Sequence, residues 1–116
     1  MITLSPLRWG KPYESLDFKD VVHFDTGTPI ARVGTVGGGI VGRDMRKAYL
    51  AREALLQFST DDLIERCKKA AELFEKSDLT VGDSTQSVDD FVHQQSASTG
   101  LPEHMCRSNM SKNSFV

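Results

Sequence analysis

The sequence predicts a mainly α-helical chain that opens with an N-terminal β-hairpin and continues into three to four helices. Two β-branched runs on either side of a glycine-containing turn predict the hairpin. Two consecutive segments with apolar residues at every third or fourth position predict amphipathic helices. Ser and Pro residues at helix-start positions predict the helices that follow. The 116 residues fit one domain.

Composition and charge exclude several classes of protein. Apolar residues make up 39% of the chain and charged residues 26%, so a packed core is possible. The net charge of −2 lacks the basic excess that a dedicated binder of nucleic acid or of an anionic membrane needs. No apolar run reaches the roughly 18 residues of a membrane span, and the first residues do not form a signal peptide. We therefore expect a cytoplasmic protein with no nucleic-acid partner and no membrane partner.

Residues 1–33 are predicted to form two segments. Residues 1–20 follow neither the helical nor the strand period, and they are predicted to be an extended arm. Residues 21–24 and 30–33 are β-branched runs that flank a turn at 25–29, so residues 21–33 are predicted to be a β-hairpin. Both faces of this hairpin are partly apolar, and two strands alone are marginally stable in water. We expect the hairpin to pair with a neighbouring chain in a homo-oligomer.

Residues 34–116 are predicted to be helical after a glycine-rich loop at 34–42. Asp44 is a plausible N-cap for the first helix, which carries an apolar stripe. The second helix starts at Ser59 with the S-x-x-[DE] signal and carries a stripe of its own. The two stripes consist of Met45, Ala48, Ala51, Leu55 and Phe58, and of Leu63, Cys67, Ala70 and Phe74.

A polar connection at residues 77–86 separates these helices from the last two. Ser87 is predicted to start the third helix, which ends before Gly100. Pro102 suits the first turn of a fourth helix. The sequence then stops at the apolar pair Phe115 and Val116, whereas a domain normally closes with a polar tail. We therefore expect the chain to be a truncated N-terminal piece of a longer protein.

The glycine-rich loop contains the sequence motif that is most suggestive of a ligand. Residues 37–42 satisfy G-x-G-x-x-G, whose glycines and following helix can hold the pyrophosphate of a dinucleotide. The motif requires a second parallel strand after the helix. Here a second helix starts at Ser59 instead, which favours a flexible connector over a nucleotide-binding loop.

No residue of the chain is assigned a catalytic, cofactor-binding or metal-binding role. Cys106 and His104 are two apart on a predicted helix, so their side chains point to different faces. The cysteines and histidines have no metal-binding spacing. Two charged sets fit solvated helix faces better than metal, acid–base or phosphate chemistry: Asp61, Asp62, Glu65 and Glu72, and Arg43, Arg46, Lys47 and Arg52.

The order of these segments resembles the N-terminal portion of the aldehyde dehydrogenase superfamily. Residues 25–33 resemble its hairpin around a T-G-x-x-I turn. Residues 46–54 resemble its helix rich in Ala and Arg, and residues 64–75 its L-x-x-A-A-x-L-x-E helix. The segment Ser98-Thr99-Gly100-Leu101-Pro102 resembles its E-T-G-x-P step, with Ser in place of Glu, before a helix that carries an Arg, here Arg107.

The resemblance implies an α/β parent fold of the aldehyde dehydrogenase type, of which residues 34–116 would be the start of the cofactor-binding domain. It implies an oxidoreductase that converts an aldehyde substrate to a carboxylate with NAD or NADP. The catalytic cysteine and glutamate would lie C-terminal to Val116, and neither Cys67 nor Cys106 matches the nucleophile. The chain alone would then bind no cofactor and be inactive.

A second function stays open at this point. The chain can instead be a small helical protein-interaction module with no enzymatic activity, whose exposed stripe docks on a partner. A reading frame that continues beyond Val116 into Rossmann-like βαβ units favours the dehydrogenase, whereas a stop codon there favours the module.

Overall fold

Small sheets occupy the first part of the chain, and helices occupy most of the remainder. The computed structural model describes residues 1–114, so Phe115 and Val116 lie outside the described residues. In chain order the elements are β1 (Ile2–Leu4), β2 (Leu7–Arg8), β3 (Lys11–Pro12), β4 (Asp17–Val22), β5 (Pro29–Thr35), α1 (Gly38–Met45), α2 (Ala48–Leu55), α3 (Thr60–Lys76), β6 (Leu79–Val81), β7 (Ser84–Gln86), α4 (Val88–Thr99) and α5 (Glu103–Ser114).

The largest sheet has three strands in the order β1-β5-β4. β4 and β5 are antiparallel and join across the turn that follows Val22, with a register shift between Val21 and Val22. β1 lies on the other side of β5 and runs parallel to it, with Ile2 opposite Ala31 and Leu4 opposite Val33. The sheet is therefore mixed, and β4 is an edge strand.

Two small hairpins lie beside this sheet. β2 and β3 are antiparallel, and the turn residues Trp9 and Gly10 both have positive φ, at 54° and 76°. Two successive positive φ values are what a type I′ hairpin turn needs. β6 and β7 pair around Gly82, whose φ is 60°. A Cβ on Gly82 would lie 2.5 Å from the carbonyl oxygen of Thr3, so this turn rests directly on β1.

Local sequence signals set the ends of α3 and α4. Ser59 and Ser87 are the N-caps, and each forms a capping box with the Asp three residues later. Hydrogen bonds from the Ser hydroxyl and backbone N–H hold the pKa of Asp62 and of Asp90 below its usual range. A lowered carboxyl pKa stabilises the folded state above the unfolded pKa, and that contribution is lost as pH falls through the folded pKa. α4 ends at Gly100, which is left-handed with φ 76°.

The buried core lies between the last three helices. Val92 of α4 and Cys106 of α5 have no exposed surface, and Met110 of α5 is 4% exposed. Four partly buried side chains surround this cluster: Phe74, Val88, Phe91 and Leu101. Phe74 and Phe91 meet edge to face at 5.1 Å between ring centroids, which joins α3 to α4.

The predicted fold class is wrong. In place of a mainly α chain with one hairpin and three to four helices, residues 1–114 form five helices and seven strands, a mixed α/β architecture. Nothing in this architecture supports the aldehyde dehydrogenase type of α/β fold that the resemblance implied. Strands of two or three residues are too short to show a sequence period. The parallel pairing of β1 with β5 also joins segments almost thirty positions apart, which local patterns cannot reveal.

The first predicted helix also differs from the observed one. Two helices, α1 and α2, replace it, and they are separated at residues 46–47. Asp44 is not an N-cap, because it lies in the last turn of α1 and its carboxylate binds Arg8. The glycine segment that was predicted to be a loop forms the beginning of α1 instead.

The chain exposes far more surface than its mass predicts. Its accessible surface is 8719 Å², whereas a compact monomer of this mass exposes about 6,300 Å². Its radius of gyration is 16.7 Å, against roughly 13 Å for a compact domain of this length. Large apolar side chains contribute to this surface, since Leu50, Leu55, Leu56 and Phe58 are all exposed. Within residues 1–114, no helix has the length and apolar character that crossing a bilayer requires.

Candidate functional site

The G-x-G-x-x-G segment does not form a dinucleotide site of the usual kind. Gly37 is the N-cap of α1, and the other three glycines lie within α1. The chain continues from α1 through α2 into α3 without an intervening strand, so this part of the structure contains no βαβ unit. The parallel second strand that aims such a helix at a pyrophosphate is therefore missing from this region.

The cysteines and histidines are not brought together. Cys106 is buried in the core, and its thiol lies 3.7 Å from the carbonyl oxygen of Leu101, while His104 is exposed. Cys67 is exposed on α3, and both cysteines are free. Across residues 1–114, no three His, Cys, Asp or Glu side chains are close enough to hold a metal ion.

The charged sets take structural roles or lie on the surface. Asp62 completes the capping box of α3 from its N3 position, while Glu65 and Glu72 pair with Lys68 and Lys69, each at 3.0 Å. Exposed pairs of this kind contribute little stability. The four basic residues named above all lie exposed on or between α1 and α2. Arg107 binds the carboxylate of Asp89 at 2.5 Å, so it ties α5 to the first turn of α4.

An apolar cavity between the three-stranded sheet and α4 is the candidate site. Its volume is about 280 Å³. Ile2, Ala31 and Val21 are in register across the three strands, so their side chains lie on one face of the sheet, and all three line the cavity. The backbone N–H of Phe24 donates to the carbonyl oxygen of Ala97 at 2.8 Å, which holds the end of the hairpin against α4.

One face of α4 forms the opposite wall. Phe91, Gln94, Gln95 and Ser98 recur at helical spacing and all line the cavity. The amide oxygen of Gln95 is buried and has no hydrogen-bond partner. The remaining lining residues, Leu4, Ile30, Val81 and Gln86, are also uncharged.

The lining determines what this cavity can do. It contains no Asp, Glu, His, Cys, Lys or Arg, so it offers no general acid or base, no activated nucleophile and no metal ligand. Apolar walls with a few amides and a hydroxyl can bind or pack against an apolar group. The candidate site therefore fits a binding or packing surface.

Sequence reasoning missed this cavity. The helical spacing of residues 91, 94, 95 and 98 was visible, and it could have placed them on one face of α4. No local pattern indicates that a sheet covers that face, because the sheet is built from β1, β4 and β5, which are distant from α4 along the chain.

We expect the isolated chain to oxidise no aldehyde and to bind NAD or NADP no more tightly than millimolar. The glycine segment lacks its βαβ context, and the cavity lacks catalytic groups. Calorimetric titration with each dinucleotide measures the affinity. Micromolar binding that is lost in Gly39→Trp would contradict this prediction and restore the dinucleotide loop.

Comparison of the chain with protein-family models, with curated proteins and with solved structures found no match.

Proposed function

We propose that this chain is a non-catalytic part of a larger cytoplasmic oxidoreductase that converts an aldehyde to a carboxylate with NAD or NADP. The order of its segments along the sequence, from the T-G-x-x-I turn to the S-T-G-L-P step at residues 98–102, supports the reaction class. The catalytic cysteine, the glutamate and the dinucleotide site belong to polypeptide outside these 116 residues. Within the enzyme the chain supplies packing surface and no chemistry.

The observation that carries the packing role in this proposal is the exposed apolar surface. The chain exposes 8719 Å², about 2,400 Å² more than a compact monomer of its mass. Leu16 is 97% exposed, and Leu7 and Met45 are more than 60% exposed. Soluble monomers rarely expose a large contiguous apolar patch, so further polypeptide is expected to cover these side chains.

The location of the exposed side chains agrees with a packing role. The stripe of the first helical segment is poorly covered, since Met45, Leu55 and Phe58 are exposed. The second stripe is covered in part: Cys67 and Ala70 are exposed, whereas Leu63 and Phe74 are partly buried. The cavity under α4 is open and uncharged, so it too can accept apolar side chains from a covering segment.

The test combines the coding sequence with an assay. The reading frame beyond codon 116 is sequenced, and the full product is incubated with NAD or NADP with and without an aldehyde. We expect an open frame whose product forms reduced nicotinamide only in the presence of an aldehyde. A full product with no aldehyde-dependent reduction, measured over a panel of aliphatic and aromatic aldehydes, would overturn the proposal.

The second candidate function is a protein-interaction module with no enzymatic activity, and the same exposed surface favours it. Here the covering surface would come from another protein. A stop codon directly after Val116 would favour this candidate. The 116-residue chain would then be expected to bind an apolar dye, and to lose that binding when its partner is added.

The β4–β5 pair is proposed as a homo-oligomer contact of the parent enzyme. β4 is an edge strand, and its Val22 is 44% exposed. In the full-length protein, Val22→Lys on the edge strand is expected to weaken the oligomer while subunit folding is largely retained. Ile30→Lys is added to make a double variant that also tests the central strand β5, where Ile30 lines the cavity. Sedimentation measures the first effect and a thermal melt the second. A double variant that keeps its oligomer size but loses several kcal/mol of stability would place the pair in the subunit core.

A further inference from the structure

The α1–α2 pair, residues 38–55, is loosely packed, and we call it the flap. Neither helix contains a buried residue. Neither packs closely against another helix or strand of the described chain, whereas α3, α4 and α5 all pack against one another. The position of the flap is therefore set by very few contacts.

The first of two observations concerns the glycines at the base of the flap. Gly37, Gly38, Gly39 and Gly42 have no left-handed φ, and an added Cβ at any of them would meet nothing within 4 Å. Neither backbone conformation nor close packing therefore requires glycine here. Glycine within a helix lowers its stability relative to alanine because the unfolded backbone is more free. Three glycines in the eight-residue α1 make that helix easy to unwind.

The second observation is a cluster that holds the flap to the β2–β3 hairpin. The Arg8 guanidinium donates from Nε and Nη2 to the two carboxylate oxygens of Asp44, each at 2.7 Å. The guanidinium also lies 5.0 Å from the centre of the Tyr13 ring. The side chains of Arg8 and Asp44 are each only 26% exposed, so water screens this pair less than it screens the other ion pairs within residues 1–114.

Asp44 is in an unfavourable place for α1 itself. It lies in the last turn of the helix, where the negative end of the helix dipole disfavours a carboxylate. Arg8 compensates for this, and it holds the pKa of Asp44 below the usual range. The carboxylate therefore serves the contact between the flap and the hairpin and not the stability of α1.

Trp9 completes the cluster from the hairpin side. It has a φ of 54°, a conformation that costs energy for any residue with a side chain. Its side chain shares a cleft of about 410 Å³ with Lys47, Leu50, Ala51 and Ala54 of the flap. We call Arg8, Trp9 and Asp44 the latch.

We propose that residues 37–42 are a hinge on which the flap opens and closes, with residues 56–59 before α3 as its second pivot, and that the latch holds the flap closed. Opening separates Trp9 from α2 and exposes the cleft between them. The sheet and the helical core are unaffected, because the flap shares no buried contacts with either. The exposed apolar side chains of α2, such as Leu50, would then be free to move to meet a covering surface.

Trp9 gives a direct readout, since it is the single tryptophan of the chain. The latch is released with Asp44→Asn in the 116-residue chain. Asp20→Asn is the matched control, because it removes the carboxylate of another Arg–Asp pair, Arg32 with Asp20, within the sheet. Quenching of Trp9 fluorescence by acrylamide is measured at the lowest usable protein concentration, so that association does not shield the indole. Hydrogen exchange is measured on the same samples.

We expect Asp44→Asn to raise the quenching of Trp9 fluorescence and to speed hydrogen exchange of the flap amides about fivefold. An increase of that size is what the removal of one charge-assisted ion pair is expected to cause. Exchange in β4 and β5 should not change, and Asp20→Asn should leave both readouts at the wild-type values.

A second variant tests the hinge separately. Gly38→Ala with Gly39→Ala should stiffen α1 and slow exchange of the flap, in the wild type and in the Asp44→Asn background alike. The proposal is overturned if Asp44→Asn and Asp20→Asn have equal effects on Trp9. It is also overturned if exchange in Asp44→Asn rises equally in the flap, the sheet and α4, or if the alanine pair leaves flap exchange unchanged.

Discussion

Replacing Val92 with Asp is expected to abolish the cooperative thermal transition of α3, α4 and α5. Val92 has no exposed surface and lies against Cys106 and Met110. A carboxylate there would be desolvated with no partner, or would have to take up a proton, and either costs several kcal/mol. Domains of this size are stable by only about 5–15 kcal/mol, and this core is small. A thermal melt followed by the helical signal in circular dichroism shows whether the cooperative transition is lost.

Val41→Asp is the matched control for that experiment. Val41 is also a helical valine, but it is 46% exposed in α1. This control should shift the midpoint of the thermal transition by no more than a few degrees, as substitutions at exposed positions usually do. If Val92→Asp melts at the same temperature as Val41→Asp, the cluster around Val92 is not the core of the helical layer.

Gly82→Ala is expected to destabilise the chain by about 2–4 kcal/mol, because it adds a steric clash to a strained backbone. The φ of Gly82 is +60°, and the new Cβ would lie 2.5 Å from the carbonyl oxygen of Thr3. The β6–β7 turn must then withdraw from β1. Denaturant unfolding of the purified chain measures the loss.

Gly10→Ala separates the two causes of this destabilisation, which are the backbone strain and the steric clash. Gly10 has a φ of +76°, and a Cβ there would meet nothing within 4 Å. This control variant therefore has the backbone strain without the steric clash, and it is expected to lose about 1–2 kcal/mol of folding stability. Equal losses for the two variants would mean that the turn at Gly82 does not rest on Thr3.

Features that depend on neighbouring residues were predictable from the sequence. The capping boxes at Ser59 and Ser87 form where the S-x-x-[DE] pattern indicated them. Gly100 ends α4 in the left-handed conformation that a C-terminal glycine favours. These contacts join atoms three or four residues apart, so a short sequence window contains everything that determines them.

Local patterns failed where two signals competed or where a strand was very short. The connection at residues 77–86 is a hairpin, and Gly82 before Asp83 was the turn signal that a polar interpretation overlooked. The helical spacing of the apolar residues at 45–58 correctly indicated helix in this region. It could not show that the helix is interrupted at 46–47 or that α1 begins among the glycines. The stripe also gave no information on whether anything covers it.

The sequence by itself determined where α3 and α4 start and where α4 ends, because capping hydrogen bonds and glycine dihedrals are local. Only the tertiary structure decided that β1 lies parallel to β5, that α4 faces the sheet across a cavity, and that Asp44 binds Arg8 instead of capping a helix. Each of these contacts joins residues about thirty or more positions apart. Their stability comes from burial and charge pairing between distant segments, and no short window of sequence records which segments meet.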